Sequence, residues 1–113
     1  MSSGDDAAKQ NEDKKMSIKF VTKKIKDILK SNRYSVECTY CGAHVPDAEI
    51  DRANAYGRRN LQNISDEDIS DAFNFMKNCG SEGEYIIINT LVRIAENGFK
   101  TPYESISFSV HIW

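Results

Sequence analysis

Long apolar runs and a dense set of cysteines are both missing from this sequence of 113 residues, and we expect no secretory leader. No stretch approaches the roughly 20 apolar residues that span a bilayer, which excludes a transmembrane helix. The first residues are polar and lack the apolar segment of a signal peptide. Three cysteines without such a leader indicate free thiols, metal ligands or redox chemistry rather than a disulfide framework. We therefore expect an intracellular, cytoplasmic protein.

The length and apolar content of the chain suffice for one small domain. Apolar residues make up 40% of the chain, which is enough to fill a core. Residues 1–15, MSSGDDAAKQNEDKK, contain almost nothing apolar and are predicted to be a disordered tail. Residues 16–113 are predicted to form a single α+β domain with about four helices and a two-stranded sheet.

The first helix and both strands are predicted from periodicity. Ser17 is a suitable N-cap for a helix whose apolar positions recur every three or four residues, and Asn32 is its expected end. Residues 34–40 alternate between apolar and polar side chains, and so do residues 104–112, as half-buried strands do. Because two strands alone are marginally stable, we expect them to pair and pack on helices, or to be completed by a second chain.

Three further helices are predicted between the strands. Pro46 suits the first turn of one of them, and Gly57 is its expected end, so that the following RRNLQN is expected to be a linker. Ser65 caps the next helix, which closes at Cys79. Ser81 is expected to begin the last helix with a capping box, ahead of YIIINTLVRIAENG.

The stretch VECTYCGAHV, residues 36–45, carries the strongest motif. Cys38 and Cys41 are two residues apart and Gly42 follows, which resembles the knuckle of zinc ribbons and related small zinc folds. The second CxxC of a ribbon is missing, so the resemblance implies a structural zinc with ligands from elsewhere. The ligand set expected is Cys38, Cys41, Cys79 and His44, with His111 as another candidate histidine. Two alternatives are a zinc shared between two chains and free cysteines packed in a core.

The tetrapeptide CTYC also resembles the active site of glutaredoxins, and a strand precedes it as in that family. The resemblance implies a thiol oxidoreductase. Gly42 and Pro46 depart from it, because they interrupt the helix that lowers the pKa of the first cysteine. Thr101-Pro102 resembles the cis-proline loop of that fold, but one strand and no helix follows it.

Charge is distributed unevenly. Residues 14–33 contain eight basic residues and one acidic residue, whereas the rest of the chain has seven basic and sixteen acidic residues. The basic helix, residues 17–31, is therefore a candidate surface for phosphates or for an anionic membrane surface, or it docks on the acidic body of the chain itself. The candidate partner-binding residues are Lys19, Lys23, Lys26, Lys30, Arg58, Arg59 and Trp113.

Catalytic constellations are not evident in the sequence. Ser107, Ser109 and His111 lie on one face of the predicted last strand, but the sequence identifies no carboxylate to orient the histidine. Trp113 follows that strand and is expected at a contact surface, because the strand is expected to be a sheet edge. We therefore expect a non-catalytic interaction or regulatory module that binds a protein partner or a second copy. A nucleic-acid-binding protein using the basic helix is the alternative, and a thiol oxidoreductase is a second alternative.

Overall fold

The structure is a computed structural model that describes residues 17–40, 44–103 and 106–113. The predicted tail, residues 1–15, lies outside the described residues, as do Cys41 and Gly42. The described part contains four helices and two strands in the predicted order. They are α1 (Ile18–Ser31), β1 (Tyr34–Tyr40), α2 (Asp47–Gln62), α3 (Asp66–Asn78), α4 (Tyr85–Glu96) and β2 (Ile106–Ile112). The predicted α+β class is thereby confirmed.

The two strands pair with each other in antiparallel register. Tyr34 lies opposite Ile112 and Tyr40 lies opposite Ile106. The alternation along both strands places one apolar face against the helices, including the buried Val36, Cys38 and Val110. Serines, Glu37 and His111 form the opposite face.

Helix α4 is the central element of the core. Half of its residues are buried, and its apolar surface faces the other helices and the sheet. This explains why the β-branched run III is helical: the helix is covered on more than one side. The core joins buried residues from every described element, among them Ile25, Leu61, Phe73 and Leu91. Within the described residues, no helix combines the length and apolar character needed to cross a bilayer.

Helix ends follow local signals at some positions. The Ser17 side chain accepts a hydrogen bond from Phe20 N, and Asn32 ends α1 with a left-handed φ of 62°. Ser65 and Asp68 form a reciprocal capping box at the start of α3. The predicted capping box at Ser81 was wrong, because α4 begins only at Tyr85. Gly83 has a φ of +65°, which is incompatible with a right-handed helix running through it.

Gly57 does not end α2, which continues to Gln62, so the predicted linker was also wrong. Gly57 is buried at a close approach of four elements. A Cβ placed there would lie 2.8 Å from Val36 Cγ1, 3.2 Å from Phe108 Cε2 and 3.3 Å from Ala95 Cβ. The missing side chain therefore lets α2 lie directly against β1, β2 and α4.

Candidate functional site

Strand β2 presents a row of backbone groups that pair with nothing in the described part of the chain. Trp113 N donates to Arg33 O at 3.0 Å, so Arg33 and Trp113 form a hydrogen-bonded pair. Because hydrogen-bonded and non-hydrogen-bonded pairs alternate along an antiparallel sheet, the residues opposite each other at Tyr34 and Ile112 form a non-hydrogen-bonded pair. The alternate residues of β2 point their N–H and C=O groups away from β1. These outward residues are Ile106, Phe108, Val110 and Ile112, and no hydrogen bond to their outward groups occurs within residues 17–40, 44–103 and 106–113.

The other edge of the sheet differs, because helix α2 partly covers it. Cys38 N also points away from the partner strand, and it donates to Asn54 Oδ1 at 2.7 Å. Asn54 thus takes the place of a neighbouring strand at this position of β1. Of the two edges, that of β2 is the one whose outward groups all lack a partner among the described residues.

The residues of β2 and Trp113 are suited to contact with another strand. Every residue of β2 except Val110 keeps part of its surface exposed. Ile112 is 37% exposed and Trp113 is 68% exposed. Residues 106–112 contain no Lys and no Pro, the residues that usually protect a sheet edge against pairing.

The polar face of the sheet brings a carboxylate close to His111 that the sequence did not identify. Glu37 Oε2 lies 3.6 Å from His111 Nε2, and Ser109 Oγ lies 3.5 Å from the same nitrogen. A catalytic triad needs the serine and the acid on opposite ring nitrogens. The Ser109 hydroxyl moreover donates to Glu37 O at 2.9 Å, so its proton is directed away from the imidazole. The arrangement therefore does not form a nucleophilic site. The closeness of Glu37 to His111 could have been predicted by pairing the expected strands, residues 34–40 and 104–112, in antiparallel register.

The predicted zinc ligands lie on separate elements. Cys38 is buried on the core face of β1, Cys79 is exposed at the end of α3, and His44 is exposed before α2. Cys41 lies outside the described residues. Among the residues that the structure does describe, no three His, Cys, Asp or Glu side chains gather where they could hold a metal ion. The four-ligand zinc site stays a prediction.

The environment of Cys38 does not favour a reactive thiol. Burial, together with the negative charge of Glu96, raises the pKa of Cys38 to about 11. A nucleophilic cysteine requires the opposite shift, because the thiolate is the reactive form. Burial also raises the pKa of Glu96, while Arg93 opposes this shift. The oxidoreductase hypothesis gains no support from Cys38.

Two lysines of the basic helix are already paired within the chain. Lys23 Nζ lies 3.2 Å from Asp27 Oδ2 on the same helix, and Lys26 pairs with Asp66 at the start of α3. Lys19 and Lys30 are exposed. The basic helix therefore docks in part on the acidic body, which reduces the charge left for an external anion.

Arg58 and Arg59 are exposed on α2, which packs on the sheet and on α4. Helix α1, with its lysines, packs on α3 and α4. The two basic groups thus belong to helices with largely different packing partners. Whether they act together on a nucleic acid stays a prediction.

Sequence reasoning missed a polar ridge on α2, formed by Glu49, Arg52, Tyr56 and Asn60. The Asn60 amide nitrogen donates to three carbonyl oxygens near the end of α4, those of Ile94, Ala95 and Asn97, at 3.1–3.2 Å. Tyr56 OH donates to Asn97 O at 2.6 Å. The ridge caps the carbonyl end of α4, and its spacing of three to four residues was the available signal.

The same ridge holds the segment between α4 and β2. Glu49 accepts hydrogen bonds from Arg52 Nη2 at 2.6 Å and from Thr101 Oγ1 at 2.6 Å. Arg52 Nη2 also donates to Lys100 O at 2.8 Å, and its guanidinium lies 4.6 Å from the centre of the Phe99 ring. These contacts fix the direction in which the chain enters β2.

Comparison of the chain with protein-family models, curated proteins and solved structures finds no match.

Proposed function

We propose that this chain is a non-catalytic interaction or regulatory module that binds a protein strand along the outer edge of β2. The observation that carries the proposal is the row of outward backbone groups on β2, next to the exposed Trp113. A strand added at such an edge gains backbone hydrogen bonds from the edge and side-chain contacts from the exposed residues. Trp113 would supply a large apolar contact of the kind that dominates binding energy at interfaces.

A catalytic role has less support from the described residues. Glu37 and Ser109 approach the same nitrogen of His111, and Cys38 has a raised pKa. A cytoplasmic location belongs to the same proposal and is consistent with the free thiols of Cys38 and Cys79. Zinc at the CxxC motif would add a stabilising element to the same module.

Affinity capture from an extract of the cells in which the chain is native tests the proposal. Wild-type chain, Trp113→Ala and the triple variant Lys19→Glu, Lys23→Glu, Lys26→Glu are compared at increasing salt, with circular dichroism to verify folding. We expect protein capture to be lost in Trp113→Ala, and to persist in the triple variant and at high salt.

Nucleic-acid binding predicts the opposite pattern. The logarithm of affinity for phosphates falls linearly with the logarithm of salt concentration, in proportion to the contacts made. Capture of nucleic acid that is lost in the lysine variant and retained in Trp113→Ala would replace our proposal with the alternative.

A further inference from the structure

We infer that the strand bound by β2 is the β2 strand of a second copy of this chain. Two two-stranded sheets would then join into one antiparallel sheet across a twofold axis. This inference rests on the proposed function, because it names the partner that the outer edge of β2 binds. It would also extend a sheet of only two strands, whose stability otherwise depends on packing against the helices.

The residues of β2 are complementary to themselves. Residues 106–112, ISFSVHI, contain no Asp, Glu, Lys or Arg, and His111 is their only titratable side chain. Two copies can therefore lie side by side without like charges facing each other. The strict alternation also lets apolar residues meet apolar residues on one face, while serines and histidine meet on the other.

The outward hydrogen-bonding groups define a register. A twofold axis at Ser109 overlaps the whole of β2 and brings Ile106 opposite the partner's Ile112, and Phe108 opposite the partner's Val110. These are the residues whose backbone groups point away from β1, so they form the hydrogen-bonded pairs. Ser109 faces the partner's Ser109 in a non-hydrogen-bonded pair, where Cα atoms lie about 4.5 Å apart.

Other occupants fit this edge less well. Residues 1–16 of the chain itself include four acidic residues and three lysines and contain no β-branched or aromatic residue. A charged peptide from another protein would find no opposite charge on β2 other than a protonated His111. The chain's own β2 provides the neutral, alternating strand that the edge requires.

Cysteine cross-linking tests the register directly. Ser109→Cys is placed in a chain with Cys41→Ser and Cys79→Ser, and its matched control is Ser107→Cys in the same background. Under mild oxidation, we expect Ser109→Cys to form a covalent dimer, because the paired Cα atoms fall within disulfide range. Ser107→Cys should cross-link far less, because residue 107 faces the partner's His111.

A second variant tests the backbone pairing. Ile112→Pro removes an outward N–H and leaves the hydrogen bonds to β1 in place, since Ile112 and Tyr34 are not a hydrogen-bonded pair. The twofold axis doubles the loss, because each copy loses one hydrogen bond. The dissociation constant of the dimer, measured by sedimentation, should therefore rise roughly tenfold. Ile112→Val keeps the N–H and is expected to dimerise like the wild type.

Two outcomes would overturn the inference: a wild-type chain that sediments as a monomer at every concentration, or equal cross-linking of Ser107→Cys and Ser109→Cys. If Trp113-dependent capture of another protein persisted in either case, the interaction function would stand and only its self-pairing would be wrong. If capture also failed, the proposed function itself would be refuted.

Discussion

At Gly57, helix α2 approaches two strands and a helix so closely that a single added carbon would collide with Val36. Val36 is buried and β-branched, so it has little freedom to move aside. The absence of a side chain is therefore a packing requirement at this residue. Its backbone is helical, which means that conformational freedom is not the reason for glycine here.

Gly57→Ala is expected to destabilise the fold by about 1–2 kcal/mol, although alanine is the better helix former by about 1 kcal/mol. The physical reason is overpacking against Val36. Denaturant unfolding measures the effect, with Val36→Ala as the matched background that provides room for the new methyl group. An increase in stability on Gly57→Ala in the wild-type chain would show that the contact is not tight.

Residue-scale features were predictable where the cause is local. Ser17, Asn32 and Ser65 act on neighbouring backbone groups, so the sequence places them correctly. Gly57 was misassigned because its role depends on residues distant in the chain. Ser81 was misassigned for a different reason: the left-handed Gly83 interrupts the helix that a capping box would start, and Ser81 instead accepts a hydrogen bond from Asn89.

At the scale of elements, α2 holds the chain on either side of it. Asn54 binds β1, and the ridge formed by Glu49, Arg52, Tyr56 and Asn60 binds the end of α4 and the segment that follows. Part of the attachment of that segment depends on the Glu49 carboxylate, which accepts hydrogen bonds from Arg52 and Thr101. Hydrogen bonds from Arg52 and Thr101 lower the pKa of Glu49 from 4.5 to about 2.

A lowered pKa stabilises the folded state above the unfolded pKa and loses this effect as the pH falls towards the folded pKa. We therefore expect residues 99–103 to be held less tightly on α2 as the pH falls from about 4.5 to about 2. Amide chemical shifts of Phe99, Lys100, Thr101 and Tyr103, followed by NMR during an acid titration, measure this loosening. Glu49→Gln should remove most of the pH dependence, whereas Glu82→Gln, an exposed control, should retain it; equal titration curves in both variants would contradict the role of Glu49.

Element types were predictable because periodicity is repeated over many residues. The α4 run was correctly assigned as a helix, and both strands were correctly located. The edge of β2 that pairs with no other described residue was only partly predictable. The sequence indicates an edge strand, but which backbone groups point outward depends on the register with β1.

At the scale of the whole molecule, charge and strand pairing have different consequences. The Lys26–Asp66 pair connects the basic helix to the acidic body, yet both side chains are more than half exposed. Such pairs contribute about 0–1 kcal/mol, so this contact orients α1 more than it stabilises the fold. Joining two copies through β2 would bury much more surface than this ion pair does, and is therefore expected to contribute more to stability.

A self-paired sheet makes the melting temperature depend on protein concentration, because dissociation and unfolding are coupled. We expect the midpoint of thermal unfolding to rise over roughly a hundredfold increase in concentration. The Ile112→Pro variant should show a weaker rise at equal concentrations. A wild-type midpoint that stays constant over this range would be evidence for a monomer.

The anchoring of Asn97 by Tyr56 and Asn60 also bears on how the protein ages. Asn97-Gly98 is the only Asn-Gly pair in the sequence, and such pairs lose their amide when the glycine nitrogen attacks the asparagine side chain. That attack requires the backbone between the two residues to rotate, and the hydrogen bonds to Asn97 O oppose this rotation. The amount of isoaspartate at residue 97 would therefore increase with the total time that the end of α4 has spent detached from α2.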